Sequence, residues 1–344
     1  MDDDKNVLGD WNESGQEELD QKSAKKLVWR TRLSITLTVI KTLLLILLVY
    51  IAYTIPVSIF YDFNKQAGFD RLVSTVIETH YPGVEVNNAS GGSDAEINPL
   101  LTQSTTLKLY REIGDWDVVI GEVSAEKQLF GELDYSLQLD EKYLNQSGLK
   151  GFVIPNELLG RGETYVKPNA SEPVRSQLEK IDGGNVIQVQ FSIKKAMSPK
   201  ALLKELDNYN ISVLNMPVYG GEITEVEVPY SQAGQFTFAS TLILNPATRY
   251  DENNRPSSWI SPLSMQTIER SVDQFYENIN WMVNEGGYYA SDIDRKRLEY
   301  IQENGIKVFG ATVTGPIREV EKLLRKEEFH QFRLNGIEVW NWEA

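Results

Sequence analysis

His80 and His330 are the only imidazoles of this chain, and it has no cysteine. Metal ligation and nucleophile activation need such groups clustered at spacings that bring several of them to one point. Neither histidine has a His or Cys at ligand spacing, so capping or surface roles are expected for both. There is no G-x-S-x-G elbow, no G-x-x-x-x-G-K-[ST] phosphate cradle and no H-E-x-x-H. S-x-x-K occurs at Ser23–Lys26, in a basic flank, and at Ser192–Lys195. The second falls in a strand-like stretch, where the lysine is not brought beside the serine as on a helix, and no K-T-G follows. Asp251-Glu252-Asn253-Asn254 lacks the Gly and terminal Glu of a calcium loop and reads as a plain loop. The remaining carboxylates are scattered, as on a solvated acidic surface. No catalytic residue, cofactor or metal is therefore assigned, and an enzyme is disfavoured. An exported hydrolase would need a carboxylate pair that no spacing singles out.

The elements that carry these residues begin with an uncharged run, Thr42–Phe60 (TLLLILLVYIAYTIPVSIF), of 19 residues. At about 1.5 Å per helical residue it spans roughly the 30 Å core of a bilayer, with Thr42, Leu48 and Phe60 marking its ends and middle. Lys22, Lys25, Lys26, Arg30 and Arg32 precede it, whereas only Lys65 and Arg71 follow closely. That asymmetry predicts a cytoplasmic N-terminus and an extracellular C-terminal portion. A cleaved export signal fits less well, because the run is too long for its apolar core and YDFNKQAGF after it has no small-x-small cleavage pattern. Pro56 is placed to kink the helix near its outer end.

The chain is acidic, with net charge −15; residues 1–63 hold seven Lys/Arg and nine Asp/Glu, leaving −2 there and −13 beyond. That sign disfavours nucleic acid and anionic lipid as ligands of the exported part. Without cysteine, disulfides and thiolate metal sites are excluded. Residues 1–24 carry eight acidic and two basic residues and few aliphatics, which predicts disorder until about Glu17, where a helix can begin and enter the membrane.

Beyond the anchor, Phe69, Leu72, Val73, Val76 and Ile77 recur at helical spacing and stop at Tyr81-Pro82-Gly83, predicting an amphipathic helix. Asn87–Asp94 reads as a loop. Thr105–Arg111, Trp116–Val123 and Leu129–Leu139 read as strands, and 160–172 as a connection. Asn185–Lys195, a helix opened by Ser198-Pro199, and Ile211–Val218 give strand, helix, strand. Ile306–Thr314, Ile317–Lys326 and Phe329–Trp340 repeat that order. Two such units predict an α+β region with a ferredoxin-like split βαβ C-terminal domain. Between them, the stripe Ile268, Val272, Phe275, Ile279, Met282 and a second helix, about Asp292–Glu303, read as an insertion packed on that domain. The expected domains are residues 1–32 (cytoplasmic tail and basic flank), 33–63 (transmembrane helix with flanks), 64–180 (membrane-proximal extracytoplasmic α+β region) and 181–344 (C-terminal domain). Gly310 allows close approach to its strand, Gly315 supplies a turn, and Pro316 starts the helix after it. Trp340 and Trp342 alternate as on a strand and read as packing or edge-covering residues.

The block Val308-Phe-Gly-Ala-Thr-Val-Thr-Gly-Pro316 with the distant Val339-Trp-Asn-Trp342 resembles the C-terminal domain of sigma factor regulators. Trp29-Arg-Thr-Arg-Leu-Ser34, running into the apolar helix, is similar to that family's N-terminal module. The resemblance covers the anchor and most of residues 180–342. It implies a membrane-anchored anti-sigma factor of the kind that restrains sigma-M-type extracytoplasmic-function sigma factors in Gram-positive bacteria, and it brings no catalytic residues. Family members that inhibit a sigma factor carry a substantial cytoplasmic segment, whereas only some thirty to forty residues are expected on the cytoplasmic side here. A stable interface takes about 20–30 residues a side, so nearly the whole tail, with Val7, Leu8, Trp11 and Leu19 as apolar contacts, would fold onto a basic partner.

The leading expectation is thus a single-pass regulator whose exported domain senses envelope state and whose tail helps hold an extracytoplasmic-function sigma factor, alone or with a second membrane protein. Besides the bilayer, its partners are proteins and not nucleic acid. The rival expectation is a membrane-tethered domain that binds an exported protein or wall component without sigma control.

Overall fold

The computed structural model describes residues 4–61, 64–86, 95–98, 100–128, 130–140, 151–159, 172–221, 230–233, 236–239, 241–259 and 262–340. They fall into two compact units, divided between Asp62 and Phe63. Trp342, the loop 87–94 and nearly all of the connection 160–172 lie outside the described residues.

The first unit is one helix, α1 (Asp4–Tyr61). Within it Gln21–Val57 is long and apolar enough to cross a membrane, and its apolar window is not buried by the protein. The hydroxyls of Thr31, Thr36, Thr38, Thr42 and Thr54 donate to the carbonyl four residues earlier at 2.7–2.9 Å. Each of these threonines thus has its hydroxyl hydrogen bonded within the helix. Disorder is expected before about Glu17, yet α1 starts at Asp4. Elongating an existing helix adds a hydrogen bond for every residue ordered, and acidic residues near the N-terminus complement the helix dipole.

The second unit opens with α2 (Asn64–His80). A first antiparallel sheet follows: β1 (Glu85–Val86), β2 (Glu96–Ile97), β3 (Gln103–Ile113), β4 (Trp116–Lys127) and β5 (Leu133–Leu139), in the order β1-β3-β4-β5 with β2 also on β3. Alternation of buried and exposed residues along β3 marks a sheet with one covered face. After a short 3-10 turn (Asn156–Leu159) and α3 (Glu172–Leu178) comes the main sheet.

That sheet is built from β6 (Asn185–Met197), β7 (Ser212–Val218), β10 (Leu242–Leu244), β13 (Val308–Pro316) and β14 (Phe329–Val339), in the order β10-β7-β13-β6-β14 with every pair antiparallel. α4 (Pro199–Leu206) joins β6 to β7, and α7 (Ile317–Leu323) joins β13 to β14. Each strand-helix-strand unit therefore has a strand of the other inserted between its own two. Ser198 caps α4 by accepting from the Ala201 N–H, with Pro199 at the first turn. Between β7 and β13 lie the hairpins β8 (Tyr230–Ala233) with β9 (Phe236–Ala239) and β11 (Thr248–Tyr250) with β12 (Pro256–Trp259), then α5 (Ile268–Glu285) and α6 (Ser291–Asn304). The two hairpins have no counterpart in the sequence reading, because their strands are too short to show a period.

Register puts Ser192, Gln190 and Gln188 of β6 opposite Gly310, Thr312 and Thr314 of β13, and Phe191 and Val189 opposite Ala311 and Val313. One face of the sheet is thus apolar and the other polar, yet all of these side chains are buried. The turn between β3 and β4 covers the polar face and bonds part of it. Gln188 donates to the Glu112 carbonyl at 2.9 Å, the Gly114 N–H donates to Thr314 Oγ1 at 2.6 Å, and Arg111 donates to the Asn335 carbonyl at 2.6 Å. A polar face is compatible with burial only when it is bonded in this way.

Gly310 sits at a tight point of the sheet. A Cβ there would lie 2.5 Å from the Phe191 carbonyl oxygen and 2.6 Å from the Phe152 ring. Gly315 is not in a turn but in β13 opposite Ile187, pressed against Asn210 and Ile211. Its absent side chain makes room for the segment entering β7. Pro316 is the residue before the first helical residue of α7 rather than the first itself.

Candidate functional site

α2 follows α1 after two intervening residues and is the element on which the polar chemistry of the second unit converges. Its apolar stripe, Phe69, Leu72, Val73, Val76 and Ile77, is buried as the spacing predicts. Its other face is buried too, with Asp70, Arg71, Ser74, Thr75 and Thr79 at most 6% exposed. An amphipathic helix with a wet side is expected here. The structure differs because α5 and the β10–β11 segment close over that side.

Arg71 is the first clamp. Its guanidinium lies between the rings of Tyr250 and Trp281, 4.4 and 3.9 Å from their centroids. Nη1 donates to Asn254 Oδ1 at 2.9 Å and Nη2 to Asn278 Oδ1 at 3.4 Å. A planar cation stacked between aromatics with amide acceptors at its edge is a geometry that arginine matches and lysine does not. Asn254 is delivered by the β11–β12 turn at φ +60°, where Asp251 Oδ1 accepts from the N–H groups of Asn253 and Arg255. The acidic run Asp251–Asn254 is thus a hairpin turn.

His80 is the second clamp. Nδ1 lies 2.7 Å from the Val76 carbonyl and Nε2 2.9 Å from Asp294 Oδ2. The ring is thus held at both nitrogens, by its own helix on one side and by α6 on the other. Asp294 of α6 is fully buried and also accepts from Arg297 at 2.8 Å and the Tyr288 hydroxyl at 3.0 Å. Burial pushes the Asp294 carboxyl up, but His80, Arg297 and Tyr288 outweigh it and hold it below the usual range. Burial, reinforced by the Asp294 charge, raises the Tyr288 phenol. His80 takes the capping role expected of it, at a carbonyl of its own last helical turn, whereas His330 does not keep a surface role. His330 is 3% exposed on β14, and burial pushes its pKa down to about 4.

Between the clamps stands Glu78, whose carboxylate accepts from the Val86 N–H at 3.0 Å and whose backbone carbonyl accepts from Asn245 at 2.8 Å. Burial, with Glu85 adding to it, pushes the Glu78 carboxyl up to about 8. Burial and Asp117 push Glu85 up to about 7. The arrangement can hold a helix and register protonation, but it presents no nucleophile beside a base. Among the described residues no three His, Asp or Glu side chains could together hold a metal ion.

Residues singled out from the sequence lie elsewhere. Thr42 and Leu48 are on α1, Leu48 63% exposed; Val7, Leu8, Trp11, Leu19 and Phe60 are on α1 with side chains outside the described residues. Gly310, Gly315 and Pro316 line β13, and Trp340 follows β14, 47% exposed, its N–H donating to the Gly184 carbonyl at 3.0 Å. None of them meets the α2 clamps. The one signal that could have flagged Arg71 is a charge beside Leu72 and Val73 within an apolar helical stripe.

The partners that Arg71 and His80 find beyond α2, Tyr250, Asn254, Asn278, Trp281 and Asp294, fall within residues 178–335, which match the family model described as "Sigma factor regulator C-terminal". The chain carries a sigma factor regulator domain. The probable anti-sigma-M factor YhdL of Bacillus subtilis (strain 168) is 22% identical to it over 192 residues, 53% of this chain and 49% of the relative. The chain thus aligns with about half the length of that curated relative. No solved structure matches. α2 lies outside the stretch matched by the family model, so its clamps tie a helix adjoining α1 to the sigma factor regulator domain.

Proposed function

We propose that this protein is a single-pass membrane regulator of the anti-sigma type, with a cytoplasmic N-terminus, an exported domain that senses envelope state, and an extracytoplasmic-function sigma factor as partner, alone or with a second membrane protein. The observation that carries the reading is the sigma factor regulator match over residues 178–335 in a chain that also holds one helix of membrane-spanning length and apolarity. The resemblance to a probable anti-sigma-M factor supports the direction of the activity. The basic flank before Thr42 supports the orientation. In this reading the chain divides into the tail 1–32, the spanning segment 33–63, a membrane-proximal region 64–180 and the regulator domain 181–344. The strand order β7-β13-β6-β14, with α4 and α7 as crossovers, supports a ferredoxin-like split βαβ plan for the last of these. The protein acts by binding, without catalysis. A change in the exported domain reaches the tail through α2, whose Arg71 and His80 clamps set whether that helix is held.

The test has two arms. Full-length protein should co-purify with a sigma factor through Val7, Leu8, Trp11 and Leu19, and deleting the gene should change sigma-dependent transcription. Protease added to intact cells should remove the C-terminal portion. Unchanged transcription would overturn the regulatory reading; a protected C-terminal portion would overturn the orientation.

A further inference from the structure

We propose that one rim of the second unit, made by the β2–β3, β4–β5 and α5–α6 turns, inserts its tips into a zwitterionic lipid surface. Antiparallel pairing puts the β2–β3 and β4–β5 turns at the same end of the first sheet, since Gln103 of β3 lies opposite both Ile97 of β2 and Lys127 of β4, and Lys127 opposite Leu133 of β5. At about 4.8 Å between neighbouring strands, the two turns are roughly 10 Å apart. The α5–α6 turn joins them through a parallel bridge between Tyr288 and Leu133, whose N–H donates to the Gly287 carbonyl at 2.6 Å. Each turn holds out one large apolar or aromatic side chain: Leu100 is 84% exposed, Phe130 98% and Tyr289 75%.

The chemistry of the tips favours lipid. Although 24% of the chain is charged, Asn98-Pro-Leu-Leu-Thr102, Gln128-Leu-Phe-Gly131 and Gly286-Gly-Tyr-Tyr-Ala-Ser291 hold no charged residue. Backbone that leaves water needs its N–H groups bonded within the protein, and each turn provides such bonds. In the first, Asn98 Oδ1 accepts from the Leu100 and Thr102 N–H groups at 2.9 and 3.1 Å, and its carbonyl accepts from Leu101 at 2.8 Å. In the others, the Gly131 N–H donates to the Gln128 carbonyl at 3.0 Å and the Ser291 N–H to the Tyr288 carbonyl at 3.2 Å. A protein partner is the poorer fit. A standard interface covers about 800 Å² per partner with matched shape, whereas three side chains of at most about 250 Å² each, on separate turns, fall short of it. Lys127, Glu132, Glu285 and Asp292 border the tips, one cation against three carboxylates, so the attraction is apolar and anionic lipid is disfavoured. Three side chains bind a free surface weakly. Only two residues separate α1 from α2, however, so an α1 that spans a bilayer holds the unit near it at high effective concentration. The inference thus rests on the reading of α1 as a membrane span.

The test uses the full-length chain in nanodiscs of phosphatidylcholine. Because the chain has no cysteine, the single variants Leu100→Cys, Phe130→Cys and Tyr289→Cys each carry one NBD fluorophore. Val119→Cys marks the opposite half of β4, and Leu48→Cys the apolar run of α1. Lipids with a nitroxide in the acyl chain quench whichever labels reach them. The expected result is a loss of about half the emission at the three rim positions, from labels roughly 5–10 Å deep, and no loss at Val119→Cys. Adding Phe130→Asp should reduce the quenching of the other two rim labels by about half or more, since a carboxylate resists entry into hydrocarbon. Rim labels left unquenched while Leu48→Cys is quenched would overturn the proposal and leave the span standing; an unquenched Leu48→Cys would overturn both. Equal quenching at Val119→Cys and Phe130→Cys would overturn the proposal, as adhesion without a preferred rim. A blue shift without quenching that grows with the number of chains per disc would assign the rim to a second copy and overturn it as well. The rim residues are exposed, so their variants keep the fold.

Discussion

Replacing Asp294 by Asn changes one atom and removes the charge that pairs with buried Arg297 and bonds the His80 ring. In the structure Asp294 accepts from His80, Arg297 and Tyr288 at 2.8–3.0 Å, and Arg297 is 3% exposed. Breaking a buried pair from one side costs about 3–5 kcal/mol, because the partner charge stays behind uncompensated. Arg297 cannot release its proton, so the cost falls on its guanidinium. For a unit of this size each kcal/mol lowers the midpoint by about 2–4 °C, so a loss of about 10 °C is expected in thermal unfolding of the full-length chain. The double variant Asp294→Asn with Arg297→Met should recover about half of that loss, since the orphaned charge is then absent. The pH dependence follows from the lowered Asp294 pKa: its contribution is present above the unfolded carboxylate range and is lost as pH falls through the folded value. Wild type and Asp294→Asn should therefore converge below about pH 4. A variant within about 0.5 kcal/mol of wild type at pH 7 would refute the claim that Asp294 holds buried charge.

Gly310→Ala places a methyl 2.5 Å from the Phe191 carbonyl and 2.6 Å from the Phe152 ring, and should cost at least about 1–3 kcal/mol by urea unfolding. Gly315→Ala, with its nearest atoms at 3.0 Å, should cost less. Arg71→Lys should lose about 1–2 kcal/mol although charge is kept, because an ammonium cannot stack between Tyr250 and Trp281 while reaching both asparagines; an unchanged urea midpoint would remove Arg71 as a clamp. Glu78 and Glu85, raised to about 8 and about 7, bind protons in the folded state that the unfolded chain has released. In a buffer with only N-methylglucamine as cation, stability should fall as pH rises from about 5 to 8, at most about 1.4 kcal/mol per unit for each group, and Glu78→Gln should flatten the profile.

Much of the architecture is legible in local pattern. The apolar run within α1, the stripe of α5, the Ser198-Pro199 start of α4 and the repeated strand-helix-strand order all depend on residues within a few turns of one another, and each lies where its spacing predicts. The resemblance carried by Val308–Pro316 also needs no tertiary information. Periodicity does not report which faces meet. The alternation of β6 predicts one dry and one wet face, but the β3–β4 turn, some 75 residues away in sequence, buries the polar one by bonding Gln188 and Thr314. The α2 clamps are invisible for the same reason: Arg71 meets Asn254 across 183 positions and His80 meets Asp294 across 214. Composition and spacing along the chain thus decided the longer elements, their order and one helix long and apolar enough to cross a membrane. Only the closed fold decided which charges are buried together and which partners hold His80 and Arg71, because both depend on groups that long-range packing alone brings within hydrogen-bond reach.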